Sequence, residues 1–245
     1  MKFTIDGYIY LLTLLKEKEY MITNYSNWES YDKCVILRHD VDFDMTKALL
    51  IAQTEYDYGV ESVFFVLLTS NFYNIHSSVN KRRIKQIQKM GHTIGLHFDE
   101  MAYPEDAGNA DKIMDRIKKE IDILSEALET DVTVYSYHRP TKTILDSNIR
   151  ISGVINSYER LFFKEFKYLS DSRMHWREPV LDIINQGNFS RMQILTHPFW
   201  YRDKEKSMKA ILCEFLNMAS KQRYDDLNDN FTGLDKIFEG GGMRS

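Results

Sequence analysis

The stretch Val35-Ile-Leu-Arg-His-Asp-Val-Asp-Phe-Asp44 decides how the rest of the chain is interpreted. It begins as an apolar run, typical of a buried strand, and charged side chains follow where that run ends. Alternate side chains of a strand share a face, so Arg38, Asp40 and Asp42 point one way and His39 the other. Two carboxylates about 7 Å apart repel each other unless a cation lies nearby. Arg38 could be that cation, but a divalent metal ion would suit the carboxylates better. The alternative is a solvated strand end.

The composition is that of an ordinary globular protein. The chain has 245 residues, of which 43% are hydrophobic and 28% charged, and its net charge is −4. These values allow a sizeable core, and no basic stripe predicts a nucleic-acid partner. Cys34 and Cys213 form neither a CxxC pair nor a disulfide framework, which indicates a reducing compartment.

The apolar segment Tyr8–Leu15 is too short to span a bilayer. Asp6 precedes it, the charged run Lys16–Glu19 follows it, and it lacks the small-residue cleavage site of a secretion signal. We therefore expect a helix packed on the domain, no membrane span, and a cytoplasmic protein.

Apolar strand-like runs and amphipathic helical runs alternate about seven times along the chain. This alternation predicts an α/β fold with a parallel sheet, either closed as a barrel or left open. We expect one domain: residues 1–34 as an N-terminal helical segment packed on the barrel, residues 35–220 as the barrel, and residues 221–245 as a partly mobile tail ending in Gly240-Gly-Gly242.

Four apolar runs end in a polar group capable of chemistry. These groups are Asp40 with Asp42, His97, His138 with Arg139, and His197. Active sites of parallel α/β sheets and barrels gather at the carboxyl ends of the strands. One such histidine is more often structural than catalytic, but three after separate strands predict a shared site.

Five segments, in order, resemble the motifs of the polysaccharide deacetylases, carbohydrate esterase family 4. The segments are Arg38-His-Asp-Val-Asp42, Gly91-His-Thr-Ile-Gly-Leu-His97, Arg139-Pro140, Asp171–Trp176 and Leu195-Thr-His197. The resemblance covers residues 35–201 and is strongest to a bacterial branch with LRHDVD and GHxIGLH. It implies a distorted (β/α)7 barrel.

The resemblance also implies roles for the strand-end residues. Asp40 would be the general base, Asp42 and His97 ligands of a divalent metal ion, which we expect to be zinc, and His197 the general acid. The metal would lower the pKa of a water molecule and polarise an acetyl carbonyl, and His197 would protonate the leaving amine.

Three further roles follow from the same resemblance. Arg139 would hold the base ionised, Asp171 would orient Arg139, and Trp176 would line the sugar pocket.

The chain departs from the family pattern at a metal ligand. The second histidine of the second motif would fall at Met101, and a thioether is a poor zinc ligand beside carboxylate and imidazole. Our candidate for the third ligand is His138, which strand alternation places on the inward face. Asp99, Glu100 and His92 are rivals, His92 the weaker one because it falls on the opposite strand face from His97.

The leading hypothesis is a metal-dependent hydrolase that removes an acetyl group from an N-acetylated sugar, in surface polysaccharide biosynthesis. A cytoplasmic location would make the substrate a nucleotide- or lipid-linked sugar. Two alternatives stay open: a metal-independent amide or cyclic-amide hydrolase of the same fold, and a non-catalytic sugar-binding relative. The sequence leaves open the sugar, N- or O-acetylation and the oligomeric state.

Overall fold

The computed structural model describes residues 1–238 and divides into two compact units at residues 204 and 205. The first unit contains, in chain order, α1 (Ile5–Glu17), β1 (Met21–Thr23), β2 (Cys34–Val41), α2 (Met45–Asp57), β3 (Val63–Val66), α3 (Ser78–Lys89), β4 (Thr93–Phe98), α4 (Ala110–Leu128), β5 (Val134–Tyr137), α5 (Lys142–Ser147), β6 (Ile155–Asn156), β7 (Lys167–Ser170), α6 (Val180–Gln186) and β8 (Arg191–Thr196). The second unit contains α7 (Met208–Asn228) and the short α8 (Leu234–Ile237).

The strands form one parallel sheet. Seven of them follow the order β6-β5-β4-β3-β2-β8-β7, and β1 pairs with the beginning of β2. The end strands β6 and β7 do not pair with each other within residues 1–238, so the barrel is open between them. The predicted α/β class and the distorted (β/α)7 barrel are confirmed.

The two faces of β2 meet different surroundings. Cys34 and Ile36 belong to an apolar cluster with Phe65 of β3 and Val134 of β5. On the opposite face, the ring of His39 contacts Tyr8 of α1, with ring centroids 6.0 Å apart. All eight residues of β2 are buried, as expected for a parallel strand covered on both sides.

The last acid of the opening stretch is a helix cap. Asp44 precedes α2, and its carboxylate accepts a hydrogen bond from the backbone N–H of Thr46 at 2.8 Å. Such caps satisfy N–H groups that have no partner inside the helix. Asp44 therefore serves as the N-cap of α2. Asp40 and Asp42 are the acids of this stretch that remain available for chemistry.

The helix α7 crosses residue 220, the predicted end of the barrel. It begins after its cap Ser207 and continues to Asn228. No glycine or proline interrupts it. Residues 1–34, predicted as a helical segment, also contain the short strand β1. The predicted glycine tail, Gly240–Gly242, lies outside the described residues.

None of the helices described within residues 1–238 is both long enough and apolar enough to span a membrane.

Gly95 in β4 provides a test of how tightly the barrel interior is packed. A methyl group there would lie 2.6 Å from two ring carbons of Phe65 and 2.9 Å from the carbonyl oxygen of Val134. We expect Gly95→Ala to lower the free energy of unfolding by about 2 kcal/mol, because overpacking displaces core groups. Urea denaturation measures the change. A variant as stable as the natural chain would contradict this packing, whereas partial recovery by adding Phe65→Leu would locate the clash.

Candidate active site

The carboxyl ends of four strands of the sheet bring chemically active side chains together. Asp42 directly follows β2, His97 lies near the end of β4, and His138 and His197 directly follow β5 and β8. In a parallel sheet these ends share one edge. The structure thus places on one side of the barrel four of the residues that the sequence selected.

Asp42, His97 and His138 form a compact cluster that could hold a metal ion, here called the candidate ligand cluster. Asp42 Oδ1 lies 3.3 Å from His97 Nε2 and 3.3 Å from His138 Nδ1, and the two ring nitrogens are 3.2 Å apart. Within residues 1–238, Asp42 Oδ1 is buried and has no hydrogen-bond partner. A buried carboxylate oxygen that faces two imidazole nitrogens is the arrangement expected around a divalent cation.

Ser136 orients one of the imidazoles. Its hydroxyl lies 2.7 Å from His97 Nδ1, and the two residues are paired in the β4–β5 register. With its proton on Nδ1, shared with this hydroxyl, a neutral His97 would offer the Nε2 lone pair to a metal ion. Metal-binding histidines are typically held in this way by a second group.

The cluster favours ionised groups. Burial by itself raises the pKa of Asp42, but the imidazoles of His138 and His97 and the charge of His197 outweigh it and hold that pKa far below its usual value. Burial lowers the pKa of His138, but its contact with Asp42 raises it overall. Asp42 is therefore a carboxylate that attracts positive charge, from protonated imidazole or from a cation.

Asp40 is held by a guanidinium from its own strand. Arg38 Nη2 lies 2.7 Å and 2.9 Å from the two oxygens of Asp40, and Arg38 is fully buried. Burial lowers the pKa of Arg38, but Asp40 and neighbouring tyrosines outweigh it and raise that pKa above its usual value. Arg38 also donates to Ser157 at 2.9 Å. Asp40 Oδ2 lies 3.6 Å from His97 Nε2, which belongs to the candidate ligand cluster.

His197 is fixed by a buried carboxylate. Its Nδ1 lies 2.6 Å from Asp171 Oδ1, its backbone N–H donates to the same oxygen at 3.0 Å, and Tyr201 donates to Asp171 Oδ2 at 3.0 Å. His197 Nε2 lies 3.8 Å from Asp42 Oδ2. Burial lowers the pKa of His197, but the carboxylates of Asp171, Asp42 and Asp40 together raise it to about 9.

Two residue pairings differ from those that the family resemblance implied. Arg139 does not contact Asp40: its side chain is 62% exposed and bonds Asp99 at 2.6 Å, because it keeps the strand alternation that turns His138 inward. Asp171 does not orient Arg139 but binds His197. The guanidinium beside Asp40 comes from Arg38 instead.

The rivals for the third ligand have other partners. Asp99 caps the turn at Met101 and binds Arg139, and Glu100 accepts hydrogen bonds from Thr141. His92 lies on the other sheet face, where its Nε2 bonds the carbonyl of Ala52. Met101 itself is 54% exposed. His138 is thus the residue placed where the missing histidine would be needed.

Trp176 lies apart from the ligand cluster. It lines a cavity of about 480 Å³ together with Phe3 and residues 174–182. Its indole Nε1 is buried without a hydrogen-bond partner in the described part of the chain. The proposed role of Trp176 beside a sugar therefore requires a substrate that extends from the strand ends into this cavity.

Ser136 and Tyr201 were missed as functional candidates by sequence reasoning. Strand alternation with His138 does give a signal for Ser136, because it places both side chains on one face. Tyr201 has no such signal, since its contact with Asp171 joins positions 30 residues apart through the end of β8. Arg38 was considered as a counter-cation, and the structure gives it that place.

No protein-family model matches the sequence, and no curated protein matches it. Several solved structures are similar. The catalytic domain of a peptidoglycan N-acetylglucosamine deacetylase from Eubacterium rectale is 14% identical, with a TM-score of 0.46, and the match covers 82% of this chain and 88% of that one. For the peptidoglycan deacetylase PdaC of Bacillus subtilis the identity is 14%, the TM-score 0.44 and the coverage 82% and 98%.

A third similar structure is BA3943 of Bacillus anthracis, a pseudoenzyme of carbohydrate esterase family 4, which is 15% identical with a TM-score of 0.42 over 78% of this chain and 62% of that one. The names of these structures agree with the family resemblance found in the motifs. With identities of 14–15% and TM-scores below 0.5, these similarities carry no argument about function, which is argued below from the site.

The ligand cluster predicts selective loss of metal binding. We expect His138→Ala to weaken Zn²⁺ binding by more than about 100-fold, because it removes one of three donors, and Ser136→Ala to weaken it by about 10- to 100-fold. Isothermal titration of metal-free protein measures both.

His76→Ala is the matched control, since His76 is an exposed histidine remote from the cluster in sequence. Equal Zn²⁺ affinity in the His138→Ala and His76→Ala variants would remove His138 from the ligand set.

Proposed function

We propose that this protein is a metal-dependent hydrolase that removes the acetyl group from an N-acetylated sugar. The observation that carries the proposal is the convergence of Asp42, His97 and His138 around a buried Asp42 oxygen that has no hydrogen bond in the described structure. A candidate acid–base pair adjoins this cluster: Asp40 lies beside His97, and His197 lies beside Asp42.

The donor set fits a divalent ion such as zinc. Two imidazole nitrogens and one carboxylate oxygen form the three-ligand set typical of catalytic zinc sites, which keep further positions for water or substrate. A cation bound by these three residues would supply a lowered pKa for water and polarisation of an amide carbonyl.

Asp40 is suited to accept a proton. It lies beside His97, and two hydrogen bonds from Arg38 fix both of its oxygens in place. A carboxylate held beside the ligand cluster takes the proton from the attacking water, and the guanidinium keeps the carboxylate oriented without donating a proton itself.

His197 is suited to return a proton. Asp171 binds Nδ1, so that Nε2 faces Asp42, where the amide bond of a bound substrate would lie. Departure of a sugar amine requires protonation of its nitrogen, because an amine anion is too basic to leave. Asp40 and His197 thus complete opposite proton transfers of one amide hydrolysis.

The proposed substrate is an N-acetylated amino sugar on a nucleotide or lipid carrier, used for surface polysaccharide. This part rests on the family resemblance and on the cytoplasmic location predicted from the sequence. Acetate release from free N-acetyl sugars, nucleotide-linked sugars and lipid-linked sugars, assayed in parallel, tests it.

We expect acetate release that stops when a chelator removes the metal and returns when Zn²⁺ is added back. Asp40→Asn should lower kcat by about 10²–10⁴-fold, because it removes the proton acceptor but not the metal ligands. Asp146→Asn, at an exposed acid remote from the cluster in sequence, should keep full activity.

Asp40→Asn leaves the charge of Arg38 buried without its partner, so the stability of this variant is measured alongside its activity. His197→Asn, which breaks no buried ion pair with an arginine, is the second test of the same mechanism. Full activity of metal-free protein would favour the metal-independent alternative, and sugar binding without acetate release would favour the non-catalytic one.

A further inference from the structure

His39 lies between the two residues of the Arg38–Asp40 pair in sequence but points to the other face of the sheet. It is completely buried, and no step of the proposed hydrolysis uses it. A buried ring with two hydrogen-bonding nitrogens is costly to retain unless both are satisfied. The partners of His39 show what it connects.

Glu55 of α2 fixes one side of the imidazole. His39 Nε2 lies 3.0 Å from Glu55 Oε1, and Tyr8 and Ser62 donate to the Glu55 carboxylate at 2.6 Å each. Burial raises the pKa of Glu55, but His39, His92 and Ser62 outweigh it and lower that pKa. An ionised carboxylate only accepts hydrogen bonds, so His39 Nε2 carries the proton.

Thr196 of β8 occupies the other side of the imidazole. His39 Nδ1 lies 2.7 Å from Thr196 Oγ1, and Thr196 is also buried. Both ring nitrogens of His39 thus have a hydrogen-bond partner inside the protein. The chain Glu55–His39–Thr196 therefore connects α2 through β2 to β8 by side chains alone.

This connection lies at the end of the β2–β8 ladder. His39 and Thr196 are the last paired residues of these strands. The residue that follows each of them belongs to the proposed acid–base pair: Asp40 follows His39, and His197 follows Thr196. Beyond this pair, the Asp42–His197 contact of 3.8 Å depends on how the two strand ends are held.

We infer that His39 and Thr196 are positioning residues, which hold the ends of β2 and β8 at the separation that the acid–base pair requires. Neither residue touches the site, and both act through the backbone of the neighbour that does. The inference rests on the proposed function and adds to it a support on the outer face of the barrel, anchored by Glu55.

The test compares three substitutions at two buried threonines. Thr196→Val keeps the shape but removes the hydroxyl, and Thr196→Ser restores a hydroxyl. Thr54→Val is the matched control, since Thr54 lies beside Glu55 in sequence and its hydroxyl donates to the carbonyl of Leu50 at 2.9 Å. Thr54→Val should lose a hydroxyl without affecting the strand ends.

We expect Thr196→Val to lower kcat by about tenfold to 100-fold with little change in KM and in Zn²⁺ affinity, because misplaced reacting groups slow chemistry more than binding. Thr196→Ser should recover most of kcat, and Thr54→Val should match the natural chain. Unchanged kcat in Thr196→Val, with or without a loss of stability, would overturn the inference.

A second measurement separates this inference from the proposed hydrolysis. The Nδ1 proton of His197, shared with Asp171 at 2.6 Å, is observable by proton NMR. Its signal should shift or broaden in Thr196→Val but not in Thr196→Ser or Thr54→Val. An unchanged signal in Thr196→Val would refute the positioning role, whereas a natural chain that releases no acetate would refute only the hydrolase proposal.

Discussion

The two-residue period of β2 is the constraint on which the site depends. It sends Arg38, Asp40 and Asp42 into the barrel and His39 toward the helices. Three ionisable side chains inside a barrel would be prohibitively costly if any remained uncompensated. Arg38 compensates Asp40 at 2.7 Å, and two imidazoles face Asp42 at 3.3 Å. A strand shifted by one residue would reverse both faces at once and leave these charges without partners.

The parallel arrangement of the sheet supplies the second requirement. Because all strands run in one direction, the residues that end or follow β2, β4, β5 and β8 meet at one edge without any special loop. Strands, rather than loops, thus hold the side chains of this cluster in place. The same edge carries the carboxylate Asp171 after β7, which explains why His197 finds its partner there.

Two residues of this site lie at positions other than those of the family pattern. The family resemblance implied an arginine after β5 beside the general base, but strand alternation turns Arg139 outward once His138 points inward. The cation next to Asp40 is instead Arg38, which lies on the same strand. His138 faces Asp42 and His97, whereas Met101, at the position of the second histidine of the family motif, is exposed. Physical requirements at a site can thus be met from a different strand position.

The sequence by itself determined the α/β class, the strand that carries the acids, and the candidates Asp40, Asp42, His97, His138 and His197. Those features follow from local periodicity and from the placement of polar residues at apolar strand ends. Strand alternation also placed Arg38 on the same face as Asp40, which it binds. Only the tertiary structure decided that Asp171 binds His197 rather than Arg139, and that Trp176 lines a separate cavity. These contacts depend on how strand twist and loop conformation direct individual side chains between distant segments, and sequence spacing carries no information about that direction.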